Sequence, residues 1–115
     1  MPDPELTAED TKLVTLARSA RARTRAADGA CVRDLDGRTY AGATVDLPSL
    51  SLTAVDVAVA MAVTGGSRGL EAVAVLTDAA AVSEHDLAVA RDFAGAGVTV
   101  LRADARGEVV ETSST

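Results

Sequence analysis

The sequence predicts an α/β protein: a three-layer α/β/α sandwich built on a mixed five-stranded sheet. Three observations carry that expectation. Helical and strand patterns follow the order α-β-β-α-β-α-β-β, which places helices on the faces of one sheet. The stretch "LEAVAVLTD" (70–78) is a continuous apolar run of the kind that is covered on both faces. The chain is 48% hydrophobic, yet Tyr40 and Phe93 are its only aromatic residues. Its core must therefore be Ala, Val and Leu, which suits close packing of helix on sheet.

The elements follow in order. Residues 1–7, "MPDPELT", read as a disordered lead. Thr7 then serves as N-cap with Asp10 three residues on. From 8 to 26, Leu13, Leu16, Ala17 and Ala20 recur at helical spacing, with Arg18, Arg21 and Arg25 on the other side. Asp28-Gly29 ends this helix. A hairpin follows, with Asp36-Gly37 at its turn. "DLPSLS" (46–51) reads as a loop. The stretch 52–63 is apolar on every side except Thr53 and Asp56, and predicts a buried helix that stops at Gly65-Gly66. After the strand at 70–78, Ser83 opens a helix that ends before Gly95. "VTVLRAD" and "EVVET" make the last two strands around a turn at 105–107.

At 115 residues this is one domain, with 8–112 as its folded extent and 113–115 as a tail. The net charge of −6 argues against a general nucleic-acid binder. No apolar run approaches the ~18 residues of a membrane span. The single cysteine, Cys31, leaves no intrachain disulfide, so a reducing, cytoplasmic location is expected. Cys31 itself reads as a buried strand residue.

The order and several local strings resemble the cytidine deaminase family. "GACVRDLDGRTYAGATVD" is similar to that family's hairpin, and "LSLTAVDVAVAMAV" to its zinc helix. "VSEHDLAVARDF" is similar to its second zinc motif, and "GEVVE" to its last strand. The resemblance implies the fold above, less the family's C-terminal helix, and assembly as dimers or tetramers through the zinc-helix region. Family enzymes hold zinc with Cys or His from the first motif and two Cys from the second, and a Glu shuttles protons. Carried across, the first ligand falls on Thr53, the proton shuttle on Val55, and the later ligands on Ser83 and Asp86. The ribose-binding pair falls on Thr44 and Asp46, and the phenylalanine beside the base falls near Ala26.

Those replacements remove the reaction that the resemblance implies. The chain holds one Cys and one His in total, so three N or S ligands cannot be assembled from it. Val55 moves no proton. The expectation is a catalytically inactive relative with a binding or structural role, without zinc or any other cofactor. Two alternatives stand beside it. One is a metal-free enzyme or binder of a nucleoside-like ligand, using Thr44 and Asp46. The other is an RNA- or ribosome-associated module, or an acidic-partner patch, built on Arg18, Arg21 and Arg25. No aromatic residues interleave these arginines to stack on bases, which weighs against RNA.

Within "SEHD" (83–86), neighbouring side chains on a helix point about 100° apart. Ser83 therefore reads as an N-cap, and His85 as a solvent-side imidazole without a partner. Thr53 and Asp56 read as a second capping box, with room for a small polar pocket between the two helix starts.

Overall fold

The computed structural model describes residues 6–115. The expected lead at 1–7 thus lies largely outside the described residues, although Thr7 is seen and caps the first helix. Its hydroxyl accepts from the Asp10 N–H at 3.0 Å.

Helix α1 runs Ala8–Thr24, followed by β1 (Gly29–Asp34), β2 (Thr39–Ala43), β3 (Val45–Leu47) and β4 (Leu50–Leu52). Then come α2 (Ala54–Thr64), β5 (Leu70–Leu76), α3 (Glu84–Ala94), β6 (Thr99–Ala103) and β7 (Val109–Ser114). The main sheet has five strands in the order β2-β1-β5-β6-β7. Only β5 and β6 pair parallel, joined by α3; the other neighbours are antiparallel. This is the mixed sheet that the element order predicts.

Two apolar layers flank it. Leu13, Val14 and Ala17 of α1 pack on Cys31, Ala74, Leu76 and Leu101. Val55, Ala58, Val59 and Ala62 of α2 pack on Val32, Val73 and Val75 from the other side, with Ala90 of α3. Alternation along the strands sends Cys31 to one face and Val32 to the other. Small side chains let α2 lie unusually close. A Cβ added at Gly42 would stand 2.9 Å from the Ala54 carbonyl oxygen and from the Ala58 nitrogen.

The β1–β2 turn is closed by a buried carboxylate. Asp34 accepts from the Asp36 and Arg38 N–H groups, each at 2.9 Å, and from the Ser67 hydroxyl at 2.6 Å. Ser67 and these N–H groups hold its pKa below the ordinary carboxylate range against the opposing effect of burial.

Several details differ from the sequence reading: the strand expected at 70–78 ends at Leu76, and the helix expected at 52–63 is Ala54–Thr64. Helix α1 stops at Thr24, because Arg25 adopts the left-handed conformation (φ 55°, ψ 34°). The stretch 46–51 is no loop: β3 and β4 form a separate two-stranded hairpin whose strands are only three residues each, too short to show a period. Helix α2, apolar on nearly every side, is covered by the sheet on one side and leaves Met61 and Val63 about half exposed. Strand β7 continues through Ser114, and the Thr115 N–H still bonds the Val98 carbonyl, so 113–115 are tied to the sheet.

Candidate functional site

The N-termini of α2 and α3 meet beyond the carboxyl end of β5. Ligands of open α/β sheets commonly sit in such a crevice, at the carboxyl ends of parallel strands. Each helix begins with the cap its sequence predicts. Thr53 accepts from the Asp56 N–H at 3.0 Å, and Asp56 accepts from the Thr53 N–H at 2.9 Å, a reciprocal capping box. Ser83 accepts from the Asp86 N–H at 3.1 Å.

The two starts are then joined. The Thr53 hydroxyl donates to Asp86 Oδ1 at 2.7 Å. His85 Nε2 lies 2.8 Å from Asp56 Oδ1. The second contact corrects the expectation that His85 has no partner. Ser83, Glu84, His85 and Asp86 do not converge on one another, but His85 and Asp86 both reach across to α2. A reading confined to one helix at a time cannot find that pairing.

A cavity of about 190 Å³ lies between the starts, lined by Asp28, Thr53, Thr77, Ser83 and Asp86 with Val75 at its base. The sequence leaves open whether a pocket lies between the two helix starts, and the structure has one. Thr53, Ser83 and Asp86 come together in it. Val55 does not: it is 1% exposed and packs in the core beside Ala58 and Val59. Thr44 and Asp46 also stay out of the cavity lining. The Thr44 hydroxyl accepts from the Asp28 N–H at 3.0 Å, so it braces the loop before β1. Asp46 is an exposed residue of β3.

Burial pushes the Asp86 carboxyl above its ordinary range, with the Asp56 charge adding to it and the Thr53 hydroxyl opposing. Burial also works against ionisation of Asp56, but the Thr53 N–H and His85 outweigh it and hold Asp56 low. Asp56 in turn raises the His85 pKa above 6.5, so the imidazolium persists to higher pH than in a free chain.

That direction fixes a pH dependence. A base whose pKa is raised by folding stabilises the fold fully below its unfolded value of 6.5, and the gain is lost as pH rises through the folded value. His85→Ala should therefore lower the melting temperature at pH 6, with a difference from the parent that shrinks on going to pH 9. Thermal melts of both proteins across that range check it; a gap of constant size would show that the Asp56 pairing contributes nothing.

The donor set at the positions that the resemblance assigns to zinc can be tested for fit. At the three family ligand positions the chain offers two neutral hydroxyls and one carboxylate, and the Thr53 hydroxyl already donates to that carboxylate. Zinc is held by thiolate, imidazole and carboxylate groups. These residues do not fit it. Asp56, His85 and Asp86 place possible ligand atoms within 4.8 Å of one another. Their geometry is that of an ion pair, in which the imidazole nitrogen turned towards α2 is taken up by Asp56.

Arg18, Arg21 and Arg25, the remaining predicted positions, lie on the opposite side of the sheet. They line a second, larger cavity together with Ala26.

Comparison with known proteins agrees with this architecture. A family model described as cytidine deaminase-like matches residues 6–107. Among solved structures, cytidine deaminase from Burkholderia pseudomallei is similar with a TM-score of 0.80 at 22% identity, over 95% of this chain and 93% of that one. Cytidine deaminase from Mycobacterium leprae gives 0.69 at 20% identity, covering 88% and 90%. That from Mycobacterium tuberculosis gives 0.68 at 24%, covering 77% and 80%. No curated protein matches the chain. With that family match spanning residues 6–107, nearly all of the described residues, the chain belongs to the cytidine deaminase-like family.

Proposed function

We propose that this member has lost the zinc-dependent deamination of its relatives and keeps the fold for binding. One observation carries the reading. The positions that correspond to the ligands are bonded to one another as two joined helix caps, Thr53 to Asp86 at 2.7 Å. The position of the proton shuttle, Val55, is a core residue. Attack on a pyrimidine ring needs an activated water and a group that moves protons, and this site supplies neither in the family's way.

The cavity between the helix starts is below the ~300 Å³ at the small end of ligand sites. It suits a small polar guest better than a whole nucleoside. Thr44 and Asp46, held outside it, add no ribose contacts. The reading of a nucleoside binder or metal-free enzyme is accordingly the weaker one.

A homo-oligomer, dimer or tetramer, belongs to the same proposal. Met61 (43% exposed) and Val63 (49%) on α2, with Leu47 and Leu50 on the β3–β4 hairpin, are apolar side chains that a second copy would cover. A cytoplasmic location fits as well. The one thiol is buried, and no described helix is long and apolar enough to cross a membrane.

The test is direct. Purified protein loaded with excess zinc and then gel-filtered should retain no stoichiometric metal and should leave cytidine unconverted in an absorbance assay. One tightly held zinc per chain, or turnover to uridine, would sink the proposal.

A further inference from the structure

The larger of the two cavities, about 420 Å³, opens on the α1 side of the sheet and is lined by Arg18, Arg21, Ala22, Arg25, Ala26, Leu76 and Ala105. Residues 18, 21, 22 and 25 share one helix face by their spacing of three and four. Leu76 ends β5 and Ala105 follows β6, so the cavity sits over the carboxyl ends of the two parallel strands. The sequence places these arginines opposite the apolar stripe of α1; the structure instead folds them over the end of the sheet.

Three arginines thus line one cavity in a chain whose net charge is −6. Arg21 donates from Nε to the Ala27 carbonyl at 2.9 Å, which fixes its side chain. Its ion pair with Asp78 is long, 3.3 Å, and the carboxylate side is 77% exposed. Arg18 and Arg25 make no ion pair among the described residues, whereas Arg33 is held by Asp10 and Glu71. The guanidinium fork is built for phosphate oxygens.

The backbone supplies a second, independent observation. Arg25 is the one described non-glycine residue with positive φ. A side chain in the left-handed region costs about 1 kcal/mol that glycine avoids. Such strain clusters at ligand sites. The same turn removes a competitor for the arginines. The Arg25 N–H bonds the Ala22 carbonyl and the Ala26 N–H bonds the Arg21 carbonyl, so carbonyls at the negative end of α1 are capped.

We propose that this cavity is a binding site for a small phosphate monoester. Arg18, Arg21 and Arg25 take the phosphate, and the floor of Ala22, Ala26, Leu76 and Ala105 takes a flat, weakly polar body. The volume lies within the ~300–1,000 Å³ of small-molecule sites. The side chains on the floor are short and apolar, with none of the aromatic stacking groups that a single-stranded nucleic acid uses. The site is separate from the paired helix starts and stands whether or not the chain deaminates.

The experiment is calorimetric titration of the full chain at low ionic strength with inorganic pyrophosphate, adenosine 5′-monophosphate and adenosine. The two phosphorylated probes should bind saturably at one site per chain, and adenosine should not. Added salt should weaken the binding. Arg18→Gln and Arg25→Gln should each weaken it by about tenfold. Arg25→Gly separates binding from folding: it relieves the backbone strain, so it should melt no lower than the parent while losing affinity like Arg25→Gln. Absence of saturable binding by the parent, or equal binding by the Arg18 and Arg25 variants, overturns the proposal. So does an oligoribonucleotide that binds more tightly than the monophosphate, which would make the arginine face a nucleic-acid surface.

Discussion

Val55→Glu is expected to destabilise the protein by about 3–5 kcal/mol, the cost of leaving a buried charge without a partner. Against a total stability of about 5–15 kcal/mol for a domain, that is enough to unfold much of the population. The substitution would place a glutamate where the resemblance to cytidine deaminases assigns the proton shuttle, so its failure is informative. Val55 is 1% exposed and touches the α2–sheet core, not the cavity between the helix starts. A carboxylate there finds apolar neighbours and is pushed to its neutral form, which costs stability at every pH above its unfolded value. Urea titration at pH 7 measures the loss. A change below about 1 kcal/mol would mean that the side chain swings into the cavity, and that the remains of a catalytic site are closer to hand than the packing shows.

The second large effect is at Gly42. Gly42→Ala should cost about 3 kcal/mol, at the upper end of overpacking penalties. The new methyl would meet the Ala54 carbonyl oxygen, the Ala58 nitrogen and the Val57 Cβ, each at 2.9 Å. Two of these are backbone atoms of α2, so no rotamer change relieves the clash and the helix itself must retreat. The retreat would be felt where α2 begins. Thr53–Asp86 and Asp56–His85 bridge to α3 and depend on that helix position. The variant should therefore lose both global stability and the pH dependence assigned to His85. A Gly42→Ala protein that melts with the parent would show that α2 floats on the sheet instead of being locked to it.

What the sequence revealed follows the range of each interaction. The caps at Thr53 and Ser83 were legible because cap and partner are three residues apart and obey a local rule. The strand at 70–76 was legible because burial on both faces leaves an unbroken apolar run. His85 with Asp56 was not, because the partners are 29 residues apart and each looks like an ordinary first-turn residue in its own helix. The arginine cavity was half legible. Spacing alone put Arg18, Arg21 and Arg25 on one face. That the face lies over the end of β5 follows from the packing of α1 on strands distant in sequence, which no local pattern shows. The β3–β4 hairpin was missed because three-residue strands leave no alternation to count, and Pro48 between them reads equally well as loop.

Cys31 has a further consequence. It lies in β1 with a strand on each side, is fully buried beneath α1, and its thiol is pushed up to about 12 by that burial. A thiol reagent at neutral pH meets neither an accessible sulfur nor a thiolate while the sheet is closed. Labelling is therefore a stopwatch on the native ensemble: each modified molecule records one occasion on which the α1 layer lifted from the strands. With a single sulfhydryl in the chain, the signal comes from one place and needs no deconvolution. The same chain that lacks the cysteines of its relatives' metal motifs thus carries one sulfur suited to timing the opening of its own interior.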